Sequence, residues 1–458
     1  MPERAPAVPG VQLLARFASG LTPDALPEDV KQRAQACVLY GLSVGIAAKA
    51  SPLPRRAAAA LDADGGSAPG PATRLLDGRR IAPGAAAFAN AVSMHVRVQE
   101  DAHPTGHVGV VVVPAALAMA EAMPASGAEL VAAVAAGYEV ALRIGRDHTA
   151  DTSRRGFRST PLYGVIGAAA AAARLMRLDS TRTAHALALA ANQAAGLREF
   201  VDAGTEEFGL HAGMAARAGI TAVNLAAAGV EAAASTLEGG AGFWRAYGEP
   251  GRDYGARLAE GLGRDFELRA VTFKPYPTCQ FNRAVIRGML ALRARAAQRG
   301  LERLAIHLHP FEADFVGMRF AGPFTTFSQT FMSAPFCAAL AWCEGAVSFR
   351  GMHEFGRADV SDAVSRILVI ADPSRARYSP RLLLSYADGG RSEWEGGEDD
   401  YALTWEAAAA MSATLLDEVE VPRPLAAALA AAAQALPNAP DPTALIRATT
   451  RAFAASKT

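Results

Sequence analysis

The sequence has little lysine, little cysteine and no excess of charge of either sign. Only four of its 45 basic residues are lysine, and 45 acidic residues balance the total. Nucleic acids and anionic membranes bind net basic surfaces, so a net charge of zero argues against both as the main partner. The chain has 458 residues, 51% of them apolar, which indicates a folded protein with more than one core.

Several functional classes lack their signatures. The four cysteines are widely spaced, which indicates neither a disulfide framework nor a zinc knuckle. The N-terminal segment has no apolar stretch typical of a secretory signal, and no uncharged run reaches the roughly 20 strongly apolar residues of a membrane span. The glycine-rich motifs of nucleotide binding and the GxSxG elbow of hydrolases are also missing. We therefore expect a cytoplasmic protein that uses neither NTP, NAD nor hydrolase chemistry.

The first part of the chain, up to about residue 268, has the apolar spacing of helices, and Asp179 or Ser180 is placed to cap one of them. Five helices are predicted, at Leu26–Ala50, Gly127–Arg146, Gly164–Leu178, Ser180–Leu197 and His211–Ala228. Their many alanines allow close helix packing, which favours a multi-helix bundle.

The pattern changes after residue 268. Strands are predicted at Leu304–Leu308, Phe311–Val316, Arg366–Ile370 and Leu382–Tyr386, the last opening a hairpin at Asp388-Gly389-Gly390. Helices are predicted around Asn282–Gln298, at Ser333–Cys343 and again from Trp405 onward. We predict a mainly α fold: an all-α bundle domain of residues 1–268 and 399–458, with a smaller α+β lid domain of residues 269–398 inserted near the C-terminal end.

A histidine-rich loop is the first candidate for chemistry. His95, His103 and His107 lie within thirteen residues, together with acidic Glu100 and Asp101. A loop that precedes a helix brings side chains and free N–H groups to one point, which suits an anionic substrate. A metal site through Asp101, His103 and His107 is an alternative that no HExxH or CxxC motif supports, and an ordinary polar surface loop is another.

Four further residues are candidates for binding or catalysis. Arg158 precedes a helix, where a guanidinium and the helix dipole suit a carboxylate. His211 is either a cap of its helix or a catalyst. Lys274, in the turn Lys274-Pro275-Tyr276-Pro277, either stabilises an anion or forms a salt bridge at the domain boundary. Cys279 is either a small core residue or an acid–base thiol.

Three segments carry a resemblance to a known family: Asp101–Pro114 (DAHPTGHVGVVVVP), Gly156–Leu175 and Leu210–Gly219 (LHAGMAARAG). The chain resembles the MmgE/PrpD family, which includes 2-methylcitrate dehydratase, cis-aconitate decarboxylase and iminodisuccinate epimerase. The resemblance implies a helical domain with a smaller lid, a homodimer, and a cofactor-free active site between the domains. It also implies elimination, decarboxylation or epimerisation by proton transfer next to a carboxylate.

The resemblance keeps some of the family's polar residues and replaces others. Family histidines fall on His107 and His211, and a family lysine falls on Lys274. Four positions differ from the family. Arg97 stands where the family has an acid, Phe208 where it has a lysine, and Arg158 and Cys279 where it has histidines. These replacements suggest a substrate with fewer carboxylates or a larger apolar part.

We therefore predict a lyase or isomerase, without cofactor or metal, that acts on a small carboxylate or carbonyl substrate. The predicted catalytic base is His107 or His103. Asp101 is predicted to orient the imidazole, Lys274 to hold the anion that develops, and Tyr163 to donate a proton. The predicted substrate-binding residues are Arg97, Arg158, Phe208, His211 and Cys279. Two alternatives stay open: a cyclase or epimerase of a specialised bacterial pathway, and a catalytically inactive homologue.

Overall fold

The computed structural model describes residues 8–66, 68–296, 299–397 and 404–457. Within these ranges the chain is mainly helical with small sheets, which confirms the predicted fold class. Helices of the first part are α1 Gly10–Gly20, α2 Glu28–Ala47, α3 Pro52–Ala63, α4 Pro83–His95, α5 Gly109–Ala122, α6 Gly127–Gly145, α7 Thr149–Arg154, α8 Ser159–Leu175, α9 Ser180–Ala191, α10 Phe200–Ala203, α11 Phe208–Ala227 and α12 Phe243–Tyr247. Later helices are α13 Asn282–Arg295, α14 Pro310–Ala313, α15 Phe327–Met332, α16 Ala334–Glu344, α17 Ala358–Ser365, α18 Trp405–Glu418, α19 Arg423–Gln434 and α20 Thr443–Ala455.

Helix α9 shows why predicted ends and observed ends differ. Asp179 caps it, because the carboxylate accepts a backbone N–H of the first turn at 2.8 Å. The helix stops at Ala191, six residues before its predicted end. Residues 196–198 pair instead with residues 156–158 as a short antiparallel ribbon, which Gly196 permits with a φ of 130°. This ribbon matters because it borders the candidate site.

The strands are few and short. They are β1 Pro69–Arg74, β2 Arg79–Ile81, β3 Asp101–Ala102, β4 Thr272–Phe273, β5 Leu301–Leu308, β6 Ile367–Ala371, β7 Arg381–Tyr386 and β8 Arg391–Glu395. One sheet has the order β6-β5-β7-β8, with β5 parallel to β6 and antiparallel to β7. The predicted hairpin is confirmed, since β7 and β8 pair antiparallel around a turn in which Gly389 has a φ of 86°.

Two sequence predictions about strands are wrong. Residues 311–316 contain no strand, because α14 begins at Pro310, where proline favours the first helical position and His309 accepts the Phe311 N–H at 3.1 Å. The first part of the chain is also not purely helical, since it contains the pairs β1–β2 and β3–β4. The second pair links the two parts of the chain, and its register builds the candidate site.

The buried apolar side chains form two main cores. The larger joins most helices of the first part to α18–α20, and the second joins α13–α17 to the four-stranded sheet. Phe200 and Phe208 of the first part also pack into the second core. This division agrees with an inserted lid, although the boundaries at 268 and 399 stay predictions. Residue 399 and the predicted helix end at Gln298 lie outside the described residues.

In the described ranges, no single helix combines the length and the apolar character that a membrane crossing requires. Only a bent pair, Glu28–Ala50 with Pro52–Ala63 at 91°, meets that requirement by length and composition.

Candidate active site

The short pair β3–β4 brings a buried acid and a buried lysine together. Asp101 pairs with Phe273 and Ala102 with Thr272, so the same register places Glu100 opposite Lys274. The Lys274 ammonium donates to Glu100 Oε1 at 2.7 Å, and both side chains have 0% exposure. The Tyr40 hydroxyl donates to the Lys274 carbonyl at 2.5 Å and fixes this turn. Burial alone would raise the pKa of Glu100, but Lys274 and His95 outweigh it and hold the pKa well below its usual range.

The network continues from Glu100 to a buried guanidinium. Glu100 Oε2 lies 3.3 Å from His95 Nδ1, and Arg158 donates to His95 Nε2 on the other edge of that ring. Arg158 also donates to the Phe208 carbonyl at 2.5 Å and to His211 Nδ1 at 3.4 Å. Because Glu100 balances only one of the two cations Lys274 and Arg158, the network carries a net positive charge when its histidines are neutral.

Burial keeps these imidazoles neutral. It lowers the pKa of His95 to about 4 and, together with the neighbouring Arg158, the pKa of His211 to about 3. Burial also lowers the pKa of Arg158 to about 10, which leaves the guanidinium charged at neutral pH. The side chains near Arg158 are therefore hydrogen-bond acceptors for it rather than competing cations.

His107 reaches the same network from the loop before α5. Its Nδ1 donates to the Asp101 carbonyl at 3.0 Å, since a carbonyl oxygen can only accept. The neutral ring then has no proton on Nε2, which is free to accept one. Burial and the nearby Lys274 lower the His107 pKa well below its usual value. His107 thus has the tautomer and the charge state of a general base.

A cavity of about 130 Å³ lies beside His107, between the helical part and the α+β part. Three arginines line it, Arg158, Arg198 and Arg377, and none of the described residues in its wall is acidic. The apolar part of the wall includes five phenylalanines: Phe200, Phe281, Phe311, Phe315 and Phe331. Such a cavity suits an anion with an apolar body. A larger cavity of about 510 Å³, near Lys31 and Trp405, contains none of the candidate residues.

The start of α8 also faces the cavity. Ser159 and Thr160 line it, and the Thr160 hydroxyl accepts the His107 backbone N–H at 3.3 Å. The unpaired N–H groups and the helix dipole at this end attract negative charge. Arg158 occupies the N-cap position of the same helix, so the dipole and the guanidinium act at one place.

The structure brings several predicted site residues together. His107, Arg158 and Cys279 line the cavity. Phe208 lies behind this wall, with its ring centroid 5.4 Å from that of Phe200, and His211 lies against Arg158. Cys279 sits where burial raises the pKa of its thiol, so the thiol is protonated at neutral pH.

Asp101 and Lys274 belong to the network without lining the cavity. The Asp101 carboxylate accepts the Tyr138 hydroxyl at 2.8 Å, so it is the Asp101 carbonyl, and not the carboxylate, that orients His107. Burial raises the pKa of Asp101 to about 7. Lys274 is fully enclosed and its ammonium is bound to Glu100.

Three predicted site residues lie elsewhere. His103 accepts the Thr105 N–H on Nδ1 at 3.1 Å and directs Nε2 toward Glu267, 3.5 Å away. Tyr163 is fully buried, with its hydroxyl 3.2 Å from both Thr152 Oγ1 and His148 Nδ1.

Arg97 is the third of these residues. It donates to Glu418 at 2.6 Å, to Gln99 at 3.0 Å and to the Ala47 carbonyl at 3.1 Å. Its guanidinium therefore joins helices instead of facing the cavity. The predicted site residues Arg97, Arg158 and Lys274 therefore do not form one basic surface.

The alternative metal site of Asp101, His103 and His107 is dispersed in the same way, since the three side chains face different partners. Among the described residues, no group of three or more His, Cys, Asp or Glu side chains is placed to share a metal ion.

Sequence reasoning assigned no role to Glu100, Arg198 or Arg377. A buried lysine such as Lys274 requires a counter-ion, and that requirement was a usable signal for Glu100. Arg198 and Arg377 reach the cavity only through the tertiary fold, and no local motif marks them.

Residues 12–253, just over half of the chain, match the sequence model of the MmgE/PrpD N-terminal domain. Cis-aconitate decarboxylase of Homo sapiens is 35% identical over 174 residues, which cover 37% of this chain and 36% of that protein. The cis-aconitate decarboxylase-like protein oryM of Aspergillus oryzae is 31% identical over 194 residues, 40% of each chain. Cis-aconitate decarboxylase of Aspergillus terreus is 27% identical over 280 residues, 58% of this chain and 56% of that protein. The aligned segments thus span from about a third to just over half of these relatives.

Proposed function

The chain belongs to the MmgE/PrpD family, and from this premise we propose that it is a lyase or isomerase that moves a proton on the carbon beside a carboxylate. The names of its relatives support a lyase-type role, and the finer reaction is part of the proposal. The absence of a cofactor, the homodimer and the cytoplasmic location stay predictions from the sequence.

One observation carries the proposal: His107, with an unprotonated Nε2, lines a cavity that has three arginines and no described acidic residue in its wall. The hydrogen bond from Nδ1 to the Asp101 carbonyl fixes the tautomer, and the cavity wall is cationic. The tautomer matters because a general base must have a nitrogen that can accept a proton. The cationic wall matters because it holds the substrate carboxylate, and so brings the adjacent C–H bond within reach of that nitrogen.

The proposed reaction begins when a substrate carboxylate binds at Arg158 and the start of α8. His107 Nε2 then removes the proton from the adjacent carbon, and the charge that develops on the carboxylate oxygens is stabilised by Arg158 and the N–H groups of Ser159 and Thr160. Loss of a β-leaving group, which takes the proton from His107, gives elimination. Protonation of the opposite face by water, while His107 keeps the first proton and later releases it to solvent, gives epimerisation. In a decarboxylation a substrate carboxylate leaves as CO2, the same cations stabilise the charge left on the product, and this carbanion takes its proton from water, because His107 is neutral before the reaction.

Lys274 and Glu100 act in this scheme as positioning residues. Their ion pair sits behind His107, with His107 Nδ1 3.7 Å from Glu100 Oε1. This negative carboxylate stabilises the imidazolium that forms when His107 takes a proton. Lys274 acts on His107 in the opposite direction and more strongly, which keeps the imidazole neutral before the reaction. Neither member of the pair touches the substrate.

The experiment measures hydrogen exchange in deuterated buffer with a panel of carboxylates. NMR follows the loss of the proton signal of the C–H group beside the carboxylate. His107→Asn should abolish exchange, because the asparagine amide keeps the bond to the Asp101 carbonyl and removes Nε2. His103→Gln should retain exchange, because His103 faces Glu267 and not the cavity. If the wild type exchanges a substrate hydrogen and His107→Asn exchanges it at the same rate, His107 is not the base. No exchange across the whole panel would favour the inactive homologue.

A further inference from the structure

Two arginines at the cavity wall have no part in the proposed proton transfer. Arg198 comes from the ribbon before α10, and Arg377 comes from the loop between β6 and β7. They belong to different parts of the chain and line the same cavity as Arg158. Three guanidinium groups around a space of about 130 Å³ exceed what one carboxylate needs.

The ribbon geometry explains how Arg198 enters the cavity. Arg158 N–H donates to the Gly196 carbonyl at 3.0 Å and Arg198 N–H donates to the Gly156 carbonyl at 2.9 Å. Successive side chains of an extended ribbon alternate between its faces. Arg158 and Arg198 therefore share the face opposite Phe157 and lie at different points along it.

Both wall arginines lie over aromatic rings. The Arg198 guanidinium carbon lies 4.6 Å from the Phe315 ring centroid, and that of Arg377 lies 4.2 Å from the Phe311 centroid. A stacked guanidinium keeps its N–H edges available for an anion.

The hydrogen bonding of these arginines is incomplete. In the described ranges no carboxylate forms an ion pair with Arg198, the charge of Asp202 acts on it only from a longer distance, and its buried Nε has no hydrogen-bond partner. Arg377 has one weak ion pair, Nε to Glu312 Oε1 at 3.7 Å, and its Nη2 lies 3.4 Å from the Tyr378 hydroxyl. Both side chains thus have donors that an anionic group in the cavity can use.

We propose that Arg198 and Arg377 bind a second carboxylate of the substrate, so that the substrate is a dicarboxylate whose acid groups are separated by a ring-sized apolar spacer. A cavity of about 150 Å³ holds a benzene ring, and the present volume of about 130 Å³ is slightly smaller, so the spacer inside the cavity is one ring at most and lies against the phenylalanine wall. The assignment of Arg158 to the first carboxylate rests on the proposed function. Arg198 and Arg377 would then hold this carboxylate from two parts of the chain.

The test compares 4-carboxyphenylacetate with phenylacetate, which lacks only the second carboxylate, by calorimetric titration. The wild type should bind the dianion at least about tenfold more tightly, since a charge-assisted pair contributes that much. Arg198→Gln and Arg377→Gln should each remove most of this difference and leave the affinity for phenylacetate within about twofold. Arg377→Lys should retain part of it, because the charge remains.

Arg217→Gln is the matched control, because Arg217 is exposed on α11 away from the cavity, and it should change neither affinity. A wild-type preference below twofold, no binding of the dianion, or a preference unchanged in both Gln variants would overturn the proposal. Equal binding of succinate would overturn the ring-sized spacer.

Exchange at the benzylic carbon of the same two compounds separates this proposal from the proposed function. A preference that depends on Arg198 and Arg377, with no His107-dependent exchange, leaves the second subsite standing and refutes the proton transfer. Exchange that depends on His107, with a preference for the dianion that neither arginine variant changes, leaves the proton transfer standing and refutes the second subsite.

Discussion

Glu100 and Lys274 are direct cross-strand partners that join the two parts of the chain. The antiparallel register of β3 and β4 places them opposite each other, and the Lys274 Nζ donates to Glu100 Oε1 at 2.7 Å with both side chains fully buried. Because neither group has access to water, each depends on the other for compensation of its charge.

Glu100→Gln should therefore lower the free energy of unfolding by about 3–5 kcal/mol, because it leaves a buried ammonium without a counter-charge. Lys274→Met should cost a similar amount for the converse reason. The double variant should lose much less than the sum of the two, since both charges are then gone. Urea unfolding at pH 7 of the four proteins measures this, and additive losses would contradict a direct pairing.

The sequence predicts the helical scaffold well, because apolar spacing and caps such as Asp179 act locally. It fails where pairing is non-local, as at α9, whose predicted last turns are replaced by a ribbon with residues 156–158. His107 and Arg158, both site residues in the sequence prediction, line one cavity, and their roles stay predictions. His103 and Tyr163 lie near them in the chain, but their rings face other partners, and only the tertiary fold decides that.

Tyr163→Phe tests the expectation that this tyrosine donates a proton. The Tyr163 hydroxyl is buried between Thr152 and His148, outside the cavity, so its loss should cost about 1 kcal/mol of stability and leave the exchange rate within about twofold. Thermal unfolding and the exchange assay measure the two effects. A large loss of exchange in a folded variant would restore Tyr163 as the proton donor.

Arg158→Lys should lower kcat/KM by about ten- to a hundredfold. An ammonium has no planar fork, so it cannot keep the bonds to His95 and the Phe208 carbonyl while it binds a carboxylate. Arg154→Lys is the matched control, since Arg154 is 63% exposed and pairs with Asp151 outside the cavity. Equal activity of both variants would show that Arg158 is only a structural cation.

The pH profile of exchange should have its acid limb below about pH 6.5, the ordinary value for histidine. Burial and Lys274 lower the pKa of His107, so the base stays deprotonated when a solvent-exposed histidine would already be charged. Rates measured from pH 5 to 8 check this. Asp101→Asn is the control, because burial raises the Asp101 pKa to about 7 and the titration of this carboxyl would otherwise overlap with the acid limb of the exchange rate. A limb centred above pH 6.5 in both proteins would contradict the assignment.

The stability of the fold should fall as the pH is lowered from 7 to 5, and the sign follows from the buried histidines. The pKa values of His95 and His148 are lowered to about 4 and that of His211 to about 3, in each case chiefly by burial. Below about pH 6.5 these histidines take up protons in the unfolded chain but not in the folded chain. Each of them therefore lowers the free energy of unfolding as the pH falls, until the pH reaches the pKa of that histidine in the folded chain.

Asp101 acts in the opposite direction. Its pKa is raised to about 7 in the folded chain, so between roughly pH 7 and 4 the folded state binds the extra proton and gains stability. Three histidines outweigh one aspartate, so the net change should still be a loss, with a slope of about 1.4 kcal/mol per pH unit for each uncompensated group at most. Asp101→Asn removes the opposing contribution and should make the loss steeper in urea unfolding at pH 7, 6 and 5. His148→Gln should make it shallower, and a stability that rises toward pH 5 in the wild type would show that these histidines are protonated in the folded chain.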